Sequence, residues 1–154
     1  MNYIKYEIND STLAIIPFDE QSTRIIEKDD EYIVKETPYE VMEHSCKYFG
    51  SSLEGRMLGS KDILGSIYKT PAIVEESQKL IFFPTEAIQS ESVGWLSYKN
   101  IKHVEKYNKK SKIIFINDNF IIVDCPYFSI KNQIFRCNML EAVSNNRKNS
   151  KKNG

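Results

Sequence analysis

The sequence predicts an α+β fold, a single domain of predominantly antiparallel strands and hairpins with two main helices at about 38–49 and 130–143. Three observations predict it. Short apolar runs bounded by turn residues recur along the chain, as strands joined by tight turns require. A complete helix-start signal, Thr37-Pro38-Tyr39-Glu40, occurs once. A chain of 154 residues, 41% hydrophobic and 27% charged, has the size and composition of one globular core.

In chain order, Tyr3-Ile4-Lys5-Tyr6-Glu7-Ile8 alternates polar with apolar or aromatic residues. Asn9-Asp10 then turns it toward Thr12-Leu13-Ala14-Ile15-Ile16, a first hairpin. Thr23-Arg24-Ile25-Ile26 and Tyr32-Ile33-Val34-Lys35 flank a charged turn from Glu27 to Glu31 and form a second. That acidic turn repels phosphate, so it should face away from any nucleic acid.

Thr37 is the expected N-cap, Pro38 the first helical residue and Glu40 the reciprocal acid of a capping box. Val41, Met42, Cys46 and Phe49 follow at helical spacing, and Gly50 closes the end. The helix should bury Val41, Cys46 and Phe49 and expose Glu40, Glu43 and Lys47. On that apolar face Cys46 reads as a small buried hydrophobe, not a reactive thiol.

Past Gly50, the residues Gly55, Arg56 and Gly59 read as a compact loop presenting an isolated guanidinium. It is not a P-loop, because it lacks the Gly-Lys-Ser/Thr ending. A phosphate cradle of backbone amides and a purely structural turn both fit it. Ile63 to Tyr68 and Thr70 to Val74 read as extended segments, Glu75 to Gln78 as a turn, and Lys79 to Pro84 as a buried strand. Thr85 to Val93 is expected to be a loop, and Gly94 to Tyr98 restarts a strand.

Lys99, Lys102, Lys106, Lys109, Lys110 and Lys112, with Asn100 and His103 among them, make the densest basic stretch, on a strand or short helix. Tyrosines 98 and 107 interleave rings with these cations, which suits nucleic acid; a lysine-rich edge that resists aggregation has the same composition. Ile113 to Ile116 and Phe120 to Val123 bracket Asn117-Asp118-Asn119, a hairpin signal. Ser129 can cap a last helix through Val143, with Ile130, Ile134, Cys137 and Leu140 inward. The domain is expected to span 1–143, and 144–154, with four cations and no apolar residue after 144, to be a disordered basic tail.

The net charge of zero hides a split: residues 1–94 carry a balance of −8 and residues 95–154 one of +8. A basic half suits phosphate binding through counterion release, and it equally suits pairing with the acidic half in a dimer or across the fold.

Ser45-Cys46-Lys47-Tyr48-Phe49-Gly50-Ser51-Ser52, then Gly55-Arg56 and Gly59, Lys69-Thr70-Pro71, Ile81-Phe82-Phe83-Pro84-Thr85 and Gly94-Trp95-Leu96-Ser97 are the most distinctive stretches of the chain. In this order they resemble the competence transcription factor family, ComK, over roughly Tyr3 to Val143. The resemblance implies a cytoplasmic, nucleoid-associated transcription activator of competence genes that binds A/T-rich boxes from the minor groove as a dimer or tetramer, with RNA polymerase as a further partner. It makes Arg56 the residue expected in the groove. Lys47, Lys61, Lys69, Lys99, Asn100, Lys102 and Lys106 are then expected along the phosphates. The helix over 38–49 is net acidic, so major-groove reading by it is not expected. Family members carry a further C-terminal region used in adaptor-directed proteolysis, and this sequence stops soon after Val143, so that control is not expected. Two other readings stand beside this one: an interaction module that heterodimerises with a full-length family member, and a single-strand binder using Tyr98, Tyr107 and the lysines.

Other chemistry finds little support. His44 and Cys46 have no zinc-type pair, and Cys125 and Cys137 stand alone, so neither metal nor cofactor is expected. His44 and His103 lie in no motif that brings them a nucleophile, so the chain is not expected to be an enzyme. The odd cysteine count fits a reducing compartment, and no run of eighteen apolar residues exists.

Overall fold

The structure, a computed structural model, describes residues 5–65 and 68–153. Strands β1 (Thr12–Asp19), β2 (Ser22–Glu27), β3 (Glu31–Val34), β4 (Ala72–Glu75), β5 (Leu80–Pro84) and β6 (Trp95–Ser97) form a six-stranded antiparallel sheet in the order β3-β2-β1-β6-β5-β4. Strands β7 (Ile101–Tyr107), β8 (Lys110–Phe115) and β9 (Phe120–Val123) form a smaller antiparallel sheet, β7-β8-β9. Three helices complete the domain: α1 (Pro38–Tyr48), α2 (Leu53–Leu64) and α3 (Tyr127–Asn153).

Side-chain alternation along the central strands explains the layering, because successive residues face opposite sides of a sheet. Ile15, Ile25, Val74, Leu80, Phe82 and Trp95 pack with Val41, Met42 and Cys46 of α1. Their neighbours Ala14, Ile26, Ile81, Phe83 and Leu96 pack the other way. On that side they meet Val104, Ile113, Phe115 and Val123 of the small sheet and Ile130, Cys137 and Leu140 of α3. The central sheet is therefore apolar on both faces, with α1 on one and the small sheet and α3 on the other. Cys46 is fully buried, and burial pushes its thiol up to about 11.

The helix start at Thr37 forms as expected. Its hydroxyl accepts from the Glu40 amide (3.1 Å), and the Glu40 carboxylate accepts from the Thr37 amide (3.0 Å). The hairpin β2–β3, the buried strand β5, the loop over 85–93 and the hairpin around Asn117-Asp118-Asn119 also follow the sequence reading.

Four expectations are corrected. Lys5 to Asn9 forms no strand, since β1 pairs with β2 and β6, and Ile8 is instead tied to α1 by its amide donating to Ser45 Oγ at 3.0 Å. Tyr3 and Ile4 lie outside the described residues. The segment holding Gly55, Arg56 and Gly59 is a helix, not a loop. Ser52 caps it by accepting from the Gly55 amide (3.0 Å), Glu54 and Lys61 complement its dipole, and Gly65 ends it at φ +82°. Leu53 and Met57 face one core while Ile63 and Leu64 face the other, so α2 bends its apolar contacts round the sheet edge at β4. Ile63 and Leu64 are thus helical, and of the strand expected over 63–68, Ser66 and Ile67 lie outside the described residues. Finally, α3 begins two residues before Ser129 and runs on to Asn153, so residues 144–153 continue a helix where composition pointed to a disordered tail. No proline or glycine interrupts that stretch before Gly154, and Arg147 and Ser144 are held by Asp62 and Glu76.

Candidate nucleic-acid interface

The basic stretch folds as the β7–β8 hairpin. Tyr107 pairs with Lys110 across a two-residue turn, Asn108-Lys109, with Asn108 at φ +54°. Asparagine tolerates that left-handed conformation better than most side chains, which makes so tight a turn affordable here. Register then sorts the side chains. Val104, Ile113 and Ile121 face the core, as do Ser111 and Val123, while the opposite face carries His103 with Ile114 and Phe120, Glu105 with Lys112 and Ile122, and Tyr107 with Lys110.

This outer face has nothing packed on it among the described residues, and Tyr107, Phe120 and Ile122 are exposed there. Lys112 Nζ lies 4.3 Å from the centre of the Phe120 ring. Lys106, at the strand end, stands 5.0 Å from the Phe128 ring and 5.6 Å from that of Tyr127, in the first turn of α3. A cation over an aromatic face is held in place without being neutralised. Among the described residues no carboxylate lies within ion-pair distance of Lys106, Lys109, Lys110 or Lys112.

The residues singled out from sequence are not gathered in one place. Lys102 shares β7 with Lys106 but is paired with Asp118 at 2.6 Å. Lys99 is bound to Asp10 and donates to the Gln78 carbonyl (2.7 Å); its ammonium holds the Asp10 carboxyl below the usual carboxylate range. Asn100 is 1% exposed, and its amide donates to Ser97 Oγ (2.9 Å) and the Thr12 carbonyl (3.2 Å). It is a clamp between β1 and β6 and is not presented to a ligand. Lys47 is exposed on α1, near Glu43 at 3.9 Å, across the central sheet from the hairpin. Lys61 lies in the last turn of α2, and Lys69, at φ +58°, gives its carbonyl to Gln133. Arg56 is half-buried on α2 with its Nε out of solvent, so it does not project as an isolated probe.

Lys109, Lys110 and Lys112 were visible in the sequence as part of the basic stretch. The placement of Lys112 over Phe120 and of Lys106 over Phe128 was not, because it arises from the β8–β9 register and from the docking of α3 against β7.

The sequence pattern of the family described as ComK protein matches residues 3–149. A competence transcription factor of Bacillus subtilis (strain 168) is 30% identical over 135 residues, which cover 85% of this chain and 70% of that protein. No solved structure matches the chain. No helix among the described residues is long and apolar enough to cross a membrane.

Proposed function

The chain belongs to the ComK family, and on that premise we propose that it is a DNA-binding activator of competence genes that grips A/T-rich duplex through the β7–β8 hairpin. The observation that carries this reading is the set of lysines 106, 109, 110 and 112 on one hairpin, none of them within ion-pair distance of a carboxylate among the described residues, with Phe128 beside Lys106 and Phe120 beside Lys112; Glu105, across from Lys112, lies beyond that distance. Unpaired cations release counterions from phosphate, whereas Lys99 and Lys102 must first give up Asp10 and Asp118.

A minor groove about 6 Å wide admits side chains but not a two-stranded ribbon. Asn108 and Lys109, beyond the last cross-strand pair, are the side chains that would enter it; A/T tracts favour this because their narrow groove has a deeper negative potential. Lys102, Lys106, Lys110 and Lys112 would then line the flanking phosphates. Arg56, Lys47, Lys61 and Lys69 come from α1, α2 and the turn after it, and Lys47 reaches a duplex held by the hairpin only through a second bound copy. Self-association as a dimer or tetramer has a suitable surface in Phe128, Phe135 and Met139, exposed along α3 at spacings of two turns and one turn.

Exposed Tyr107 and Phe120 beside lysines also favour a second reading, stacking of unpaired bases. Fluorescence anisotropy with A/T-rich duplex, a scrambled duplex and a single strand, each at two salt concentrations, separates the two. The duplex reading expects tightest binding to the A/T-rich duplex and its displacement by a minor-groove ligand such as netropsin. Preference for the single strand would replace it with the stacking reading, and no binding to any of the three would remove both.

A further inference from the structure

The geometry points to a phosphate-binding cleft between α2 and the C-terminal part of α3, separate from the hairpin. It encloses about 380 Å³ and is lined by Arg56, Arg147 and Lys148, by the hydroxyl-bearing Ser51, Ser60 and Ser144, and by the bare backbone of Gly55 and Gly59. That volume lies at the low end of small-molecule clefts, with room for a mononucleotide or a smaller phosphate ester. Nineteen residues of helix separate Phe128 from Arg147, roughly 28 Å at 1.5 Å per residue, so the hairpin lysines do not reach it.

Three features point to an anion. Glu76 is the one carboxylate lining the cleft against three cations, and it is already engaged by Ser144; of the cations only Arg147 has a carboxylate within ion-pair distance among the described residues, Asp62 at 3.9 Å. Arg56 Nε is out of solvent without a hydrogen-bond partner. Glu75, the acid within its electrostatic reach, is instead bonded by the Ser77 hydroxyl (2.8 Å) and by the Ser77 and Gln78 amides (2.9 and 2.7 Å). Third, the glycines weaken α2 for no reason of packing at one of them. A glycine inside a helix is less favourable than alanine. A Cβ at Gly59 would meet nothing within 4 Å, and at Gly55 it would meet only serine hydroxyl oxygens, at 3.1 and 3.3 Å. What the two glycines, one turn apart, do provide is the open floor of the cleft. Phosphate is the anion that a planar guanidinium binds through paired N–H donors, with Lys148 and the Ser51 hydroxyl beside it and with Arg147 and Ser144 exchanging Asp62 and Glu76 for it.

The phosphate can belong to a free ester or to the duplex backbone, and the test separates these sources. Isothermal titration with inorganic pyrophosphate and with AMP is run on wild type, Gly59→Leu, Arg56→Ala and the hairpin variant Lys109→Ala/Lys110→Ala. Gly59→Leu fills the floor and raises helix propensity, so it keeps the fold; Trp95 fluorescence checks this for every variant. A free-ester site predicts binding that Gly59→Leu and Arg56→Ala weaken by at least about tenfold and the hairpin variant leaves unchanged. A backbone-phosphate site predicts no pyrophosphate binding but a duplex salt slope lower by about one in Arg56→Ala and in Gly59→Leu. Equal pyrophosphate binding, or none, together with an unchanged slope in both cleft variants would overturn the proposal. Loss of duplex binding in the hairpin variant bears on the DNA reading alone.

Discussion

Replacing Lys109 and Lys110 together with alanine should flatten the salt dependence of duplex binding by half. Four hairpin lysines have no carboxylate within ion-pair distance among the described residues, Lys106, Lys110 and Lys112 at the flanking phosphates and Lys109 in the groove between them, so each can offset about one phosphate charge. With a slope of about −0.9 per phosphate, one bound copy has a log–log slope near −3.6, and affinity falls about 150-fold between 50 and 200 mM salt. The double variant keeps two such lysines, giving a slope near −1.8 and a fall of about 12-fold. Lys47→Ala is the matched control. It removes one lysine charge, half of what the double variant removes, from α1, across the central sheet, and at these salt concentrations a charge more than about 10 Å away is largely screened, so its slope should stay near −3.6 where loss of one hairpin lysine would give about −2.7. Lys102→Ala should act weakly, because Asp118 already offsets that ammonium. Anisotropy titrations at four salt concentrations give the slopes. A Lys47→Ala slope as flat as that of the hairpin variant, or a hairpin variant still near −3.6, would refute placing the contact on this hairpin.

Asn100→Ala should leave two groups of the β1–β6 junction unpaired and destabilise the domain by about 1–3 kcal/mol, read as a lower melting temperature, with the affinity of the folded fraction for duplex unchanged. Gln133 donates to the carbonyls of both Lys69 and Pro84 at 2.8 Å from a buried position, so Gln133→Ala should cost about 2–4 kcal/mol by thermal denaturation. Thr37→Ala removes half of the capping box and should cost about 1 kcal/mol. Burial raises the Cys46 thiol to about 11 and the Cys137 thiol still further, so neither should react with Ellman's reagent in the folded protein at pH 8. The sign for stability follows: an unfolded thiol ionises near 9 while the folded one keeps its proton, so stability declines as pH rises above 9 and is unaffected by these groups below it.

What could be read from the sequence was whatever short-range rules decide. Thr37-Pro38-Tyr39-Glu40 contains its own capping box, and Leu80 to Pro84 is apolar throughout because both faces of that strand are covered. Asn117-Asp118-Asn119 carries the positive-φ residue its turn requires, at Asp118. The failures share a different origin. In α2 the apolar residues serve two cores on opposite sides of a sheet edge, so no single stripe marks the helix and its glycines read as turn residues. Asn100 lies in a run of lysines, and only the approach of β1 buries it. The extension of α3 past Val143 has no apolar signal because that part is held by polar contacts to α2 and to the turn after β4. The candidate site divides in the same way: the cations were evident, but which of them are neutralised by distant carboxylates was not.

Trp95 and Leu96 are adjacent in one strand and sit in opposite hydrophobic layers, as do Phe82 and Phe83 beside them. Melting either layer strips the shared backbone of support on one side, so the protein should denature all at once. Calorimetric and van't Hoff enthalpies should then agree. The same economy makes the lone indole a faithful witness: any lesion that loosens the layer between the central sheet and the small sheet should redden its emission, although its ring points the other way.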